Sequence, residues 1–250
     1  MLAMSARIIT KNLWFYLSMA FLIVALETMN GLGFFGRSSH AGVLFICAYL
    51  SANLPLVILH GISLTEAVNY RGGGRLAAGL KVALIAAIIV GLTVYLFLKI
   101  AMGKGPGVAR TNSDYLALIG ALVLVLPAVI TLLGSWIPAG LMHKDPGFVS
   151  AVGRGVMSIH TVYWRLVLAL AAYILLATIL GTAYVFAVGK APSLTTEAGG
   201  IDTMGIACWY VTMFLGMVLL TYVNVVICVC YMRFEKIDLI DAPHATPAQS

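Results

Sequence analysis

Apolar residues run along this chain in long blocks, separated by short polar stretches. A helix needs about 20 consecutive apolar residues to cross the hydrocarbon core of a bilayer. Six blocks reach that length: Leu13 to about Phe35, Ala41–Ile62, Leu80–Met102, Tyr115–Leu141, Tyr163–Val188 and Met204–Met232. No window between them is long enough for a soluble domain. The pattern predicts an all-α fold, a polytopic membrane bundle of six transmembrane helices forming one domain over residues 1–237. The remainder, 238–250, is polar with two prolines and is expected to be a disordered tail.

Two of the connections carry a helical pattern of their own. Before the fifth block, Asp145 can cap a helix, with Pro146 tolerated in its first turn. Phe148, Val149, Val152, Val156, Ile159 and Tyr163 then fall on one side, and Ser150, Arg154, Ser158, Thr161 and Arg165 on the other. Such a basic amphipathic helix is expected to lie in the headgroup plane with its apolar side down. Before the third block, Ser63 is followed three residues later by Glu66, the spacing of a capping box. Leu64, Val68, Leu76 and Leu80 share a face there, and Gly72-Gly73-Gly74 predicts a break or hinge between them. Each connector has a plainer role as a basic elbow that pins a loop to the membrane surface.

Composition agrees with a membrane chain: 62% of residues are hydrophobic and 10% charged, against about 25% charged in soluble domains. The net charge of +6 sits in short loops, where basic residues orient the chain, and nucleic-acid binding is not expected. With both termini on one side, that side holds ten Lys and Arg residues and the other five, which places both termini in the cytoplasm. Trp14, Trp136, Trp164 and Trp209 all fall at block ends, where amphipathic rings prefer to sit. Arg7 and Lys11 before an apolar stretch resemble the start of a signal peptide. Glu27-Thr28-Met29 stands where a cleavage site would be needed, so the first block is expected to be a retained span.

Candidate chemistry is sparse. Glu27 is the one carboxylate inside an apolar block, and an intramembrane acid is a functional candidate unless it reaches the headgroups. Asn53, Pro55, Pro127, Thr131 and Asn224 lie in the second, fourth and sixth blocks. Prolines free a carbonyl one turn back, and amides need partners in lipid. The five residues could line a polar cavity or bond across packed helices as glue. The fragments Asn53–Ile62 and Val125–Gly134 also share a Leu-Pro frame, which suggests an old duplication of a hairpin. Arg71, Arg75, Arg154 and Arg165 are the candidate contacts to anionic lipid headgroups or to a partner. The four cysteines have no zinc-site spacing, and His60 and His160 have no flanks that favour haem. No phosphate loop, nucleophile elbow or dinucleotide fingerprint is present. No cofactor or metal is expected.

The stretch LVLVLPAVITLLGSWIPAGLMHKDPGFVSAVGRGVMSIHTVYWRLVLALAAYILLA, Leu122–Ala177, has a recognisable order. A proline-bearing span is followed by a short loop, an amphipathic segment, an aromatic and a long span. With the closing TYVNVVICVCYMR (Thr221–Arg233), it resembles the bacterial membrane domains attached to glycerophosphoryl diester phosphodiesterases and their stand-alone relatives. The chain has no phosphodiesterase catalytic domain, so the resemblance implies work on membrane lipid or the envelope rather than that activity. The expectation is a non-enzymatic protein of the bacterial inner membrane, an accessory to a membrane complex or a lipid-interacting component, its partners membrane lipids, another membrane protein or a second copy of itself. The alternative is a small transporter or channel using the polar positions of the second, fourth and sixth spans.

Overall fold

The computed structural model describes residues 1–33, 40–70, 75–102, 112–142, 147–196 and 200–237. These form nine helical segments: α1 (Leu2–Lys11), α2 (Leu13–Gly31), α3 (His40–His60), α4 (Leu64–Asn69), α5 (Arg75–Met102), α6 (Asn112–Leu133), α7 (Trp136–Leu141), α8 (Phe148–Val188) and α9 (Thr203–Phe234). An all-helical chain is what lipid demands, because a helix satisfies its own backbone donors and acceptors. Five stretches are long and apolar enough to cross a membrane: α2, most of α5, α6 with α7, α8 and α9. The chain is therefore a polytopic membrane protein. The remaining expected span, Ala41–Ile62, coincides with α3, a 21-residue helix whose described side chains begin at Ile46.

Two boundaries differ from the sequence pattern. The fourth span is interrupted: α6 ends at Leu133, and α7 restarts at Trp136 after a turn at Gly134 and Ser135. Pro138 explains the break. It has no N–H to donate back, and its ring would collide with the carbonyl of Gly134 in a continuous helix. At the other boundary, α8 runs without a break through 41 residues, about 60 Å at 1.5 Å per residue and twice a hydrocarbon core. Connector and fifth span belong to one continuous helix. Asp145 and Pro146, the expected cap, lie outside the described residues, as do Arg71, Gly72-Gly73-Gly74 and the tail 238–250.

The helices pack as two units. The first comprises Met1–Tyr70 and Ala169–Val225, the second Arg71–Leu168 and Val226–Ser250, so α8 and α9 each contribute to both. In the first unit the N-terminus is a separate short helix rather than the opening of the first span. Asn12 makes the corner. Its amide donates to the Ile8 carbonyl at 2.9 Å, closing α1, and its side-chain oxygen accepts from the Leu64 backbone N–H at 3.0 Å, at the start of α4. Lys11 donates to the Gly61 carbonyl in the same turn. Gly61 has φ +66°, the left-handed value that commonly ends a helix, and it terminates α3. The capping box expected at Ser63 and Glu66 is present in both directions. Hydrogen bonds to Ser63, helped by the charge of Lys11, hold the Glu66 carboxyl below its usual range. Tyr16 and Thr221, both fully buried, share a hydroxyl–hydroxyl bond of 2.6 Å that ties α2 to α9.

In the second unit α5 packs on α6 and α7. The crossing of α8 with α6 is closer. Ala151 is fully buried, and a Cβ added at Gly155 would stand 2.5 Å from the Leu132 Cα and 2.7 Å from the Thr131 carbonyl oxygen. Small residues four apart let two helix backbones approach where side-chain packing, not water, drives association.

Candidate functional site

Which way the amphipathic half of α8 faces decides what its charges can do. Val149 is 82% exposed, Met157 77%, and Phe148, Val156 and Ile159 are also exposed. Arg154, on the opposite side of the helix, is 5% exposed. The apolar residues turn outward and Arg154 turns into the second unit, while Ser150 and Thr161 of the polar side are also exposed. Lipid is the solvent for such a helix, so an outward apolar face costs nothing, whereas an arginine does better among protein partners.

Arg154 is therefore held by side chains rather than laid open to headgroups. Its Nε–H donates to the Ser135 hydroxyl at 3.3 Å, and that hydroxyl donates to the Ala151 carbonyl at 3.5 Å. One terminal nitrogen, Nη1, meets Oε1 of Glu235 at 3.4 Å. The guanidinium carbon stands 5.6 Å from the centre of the Tyr231 ring, within cation–π range. The break between α6 and α7 places Ser135, the last turn of α9 places Tyr231, and the turn after it places Glu235. On the same α6–α7 turn, the Trp136 ring lies 5.2 Å from the Lys81 ammonium and packs edge-on against Phe148. Lys81 is itself buried.

Among the described residues, several buried polar atoms of this unit find no hydrogen-bond partner: Arg154 Nη2, Tyr231 OH, Thr131 Oγ1 and Trp136 Nε1. All four carry a hydrogen to donate. Buried donors are normally paired, and an unpaired one costs about 1–3 kcal/mol. The second unit thus gathers more buried donors than its described acceptors satisfy.

The other sequence candidates are placed as follows. Asn53 and Asn224 are buried in the first unit, and each amide donates to the carbonyl one turn back, Tyr49 at 2.7 Å and Leu220 at 2.8 Å. Pro55 is fully buried within an unbroken α3, and Pro127 stands within α6. Asn53, Pro55 and Asn224 belong to one unit and Pro127 and Thr131 to the other. Glu27 is half-buried in α2. Arg165 is half-buried on α8. Arg75 opens α5, and its side chain lies outside the described residues. His60 stacks on Tyr70 at 5.2 Å. Among the described residues no group of His, Cys, Asp and Glu could hold a metal ion. Trp14 and Trp164 are strongly exposed, as rings of an interfacial belt are.

A second polar cluster escaped the sequence pattern. Asp202 caps α9, accepting from the Gly205 backbone N–H at 3.0 Å. Its other oxygen takes the Lys190 ammonium at 2.8 Å and the Tyr184 hydroxyl at 2.9 Å. The intervening loop is closed by the Thr195–Ile201 bridge and the bond from the Asp202 N–H to the Leu194 carbonyl. The ammonium and the Gly205 N–H hold the Asp202 carboxyl down from 3.8 to about 2. A carboxyl whose pKa falls on folding stabilises the native state fully above its unfolded pKa, and this is lost as pH falls through the folded value. Stability is thus expected to drop between about pH 4 and pH 2, and Asp202→Asn to flatten that part of the profile. Denaturant unfolding in detergent across this range measures it.

No family model, curated protein or solved structure matches the chain.

Proposed function

We propose that this protein is a non-enzymatic integral membrane component that works by holding membrane lipid. The observation that carries the reading is the orientation of α8: an apolar face turned outward, backed by a buried arginine with an unused donor. An anionic lipid supplies what both sides of that helix lack, acyl chain for the face and acceptor oxygens for the donor. A polar conduit finds less support, because the amides of Asn53 and Asn224 are turned back onto their own helices. That is the usual behaviour of a polar side chain in a lipid-embedded helix.

The test is purification of the full chain in mild detergent, followed by native mass spectrometry. Stoichiometric phospholipid should remain bound, and Asn224→Leu should change its retention by less than about twofold, since its amide makes a local bond. A protein free of lipid, carrying instead a solute whose binding Asn224→Leu abolishes, would return the conduit reading to first place.

A further inference from the structure

The donor-rich cluster of the second unit allows the lipid reading, on which this inference rests, to be narrowed to one chemical group. We infer that Arg154, Tyr231 and Ser135 form a binding site for a phosphate group, and that Glu235 occupies it as a replaceable stand-in.

The first ground is the mismatch between donors and acceptors. Arg154 presents a planar fork suited to an oxyanion with two or more oxygens. Glu235 meets it through a single oxygen at 3.4 Å, well beyond the 2.7–2.9 Å of a good charge-assisted bond. Nη2 is left over, and so is the hydroxyl of Tyr231, whose ring lies under the guanidinium. A phosphate diester offers two charged oxygens and a monoester three. Either has more acceptor oxygens to offer than the single carboxylate oxygen that meets Arg154.

The second ground is position. Arg154 and Tyr231 are fixed on helices and buried, at 5% and 0% exposure. Glu235 is 24% exposed and stands in the turn after α9, followed by Lys236 at φ +53°. The two groups to be kept are rigid, and the group to be displaced sits where chain and solvent meet.

The phosphate could belong to a membrane lipid or be free in solution, and the experiment separates the two. The full chain in neutral maltoside micelles is offered dioleoylphosphatidylglycerol, dioleoylglycerol with the same chains and no phosphate, or inorganic phosphate. Retention is read by native mass spectrometry, and the melting temperature is read in parallel. Phosphatidylglycerol should be retained and raise the melting temperature, and dioleoylglycerol should do neither. Glu235→Gln should tighten phosphatidylglycerol retention several-fold by removing the competing anion. Arg154→Gln alone would leave the Glu235 carboxylate without its ion-pair partner, so the arginine is tested as Arg154→Gln with Glu235→Gln, which should lose about tenfold or more. Tyr231→Phe should weaken retention while leaving the lipid-free protein at least as stable, since its hydroxyl has no partner among the described residues to lose.

Equal retention by the wild type, the double variant and Tyr231→Phe overturns the phosphate site. If dioleoylglycerol is then held as well as phosphatidylglycerol, the lipid reading survives without it. If inorganic phosphate alone raises the melting temperature, and Arg154 and Tyr231 carry that rise, the site stands while its lipid source falls. No response to any of the three probes overturns both.

Discussion

Gly205→Ala is expected to disrupt the connection between α8 and α9, lowering stability by about 3 kcal/mol or more, the upper range for forced overpacking. Gly205 is in the first turn of α9, and a Cβ there would land on the backbone carbonyl of Ser193. A flexible side chain could swing away, but this carbonyl cannot move alone. It belongs to a loop fixed by the Asp202–Lys190 ion pair, the Tyr184–Asp202 bond and the Ser193 hydroxyl bonded to the Thr195 carbonyl. Relieving the clash would pull the loop from the helix start and break the cap in which Asp202 accepts from the Gly205 N–H. Gly216→Ala on the same helix is the control, because its Cβ would meet only the Tyr173 ring at 3.6 Å or more, an ordinary contact. Unfolding in a fixed detergent should show a large loss for Gly205→Ala and little change for Gly216→Ala. Similar behaviour of the two would mean that the loop does not rest on α9 as described.

How far such features can be read from sequence depends on how local their cause is. The spans are legible because crossing a bilayer needs only an unbroken apolar block, and such a block is visible wherever it occurs. The Ser63–Glu66 capping box is legible because all its partners lie within four residues. Arg154 shows the limit. Periodicity divides α8 into an apolar and a polar side but says nothing about which is outside. Reading the basic face as headgroup-facing takes the membrane surface as its partner, while the actual partners, Ser135 and Glu235, are 19 and 81 residues away. Asn12 and Asp202 were missed for the same reason. Each is an unremarkable polar residue beside an apolar block, and its role comes from Leu64 in one case and from Lys190 and Tyr184 in the other. The interruption after α6 was closer to hand, since Pro138 removes the donor that a continuous helix would aim at the Gly134 carbonyl and so favours a break there, one that Pro55 and Pro127 do not make. An apolar block hides it, because hydropathy does not register the loss of a backbone donor.

The small residues of α8 lead to the second large expectation, a loss of about 3 kcal/mol for Gly155→Ala. The effect comes from backbone meeting backbone. A methyl group at Gly155 would stand 2.5 Å from the Leu132 Cα and 2.7 Å from two carbonyl oxygens of α6, those of Thr131 and Leu132. Neither helix can yield by a rotamer change, so α6 and α8 must separate by roughly the radius of the added group. Membrane helices associate through close packing rather than through expulsion of water, so separation removes the main attraction between them. It would also draw Arg154, the neighbour of Gly155, away from Ser135 and leave its Nε unpaired. Gly153, two residues earlier, is exposed and has nothing within 4 Å of its would-be Cβ. There the same substitution relieves only the entropy of a helical glycine, and Gly153→Ala should stabilise by about 0.5–1 kcal/mol. The two variants add the same atom to the same helix and are expected to move stability in opposite directions. An unfolding titration of both in one detergent tests the crossing, because a general intolerance of larger residues in α8 would lower both, and an open crossing would let both rise.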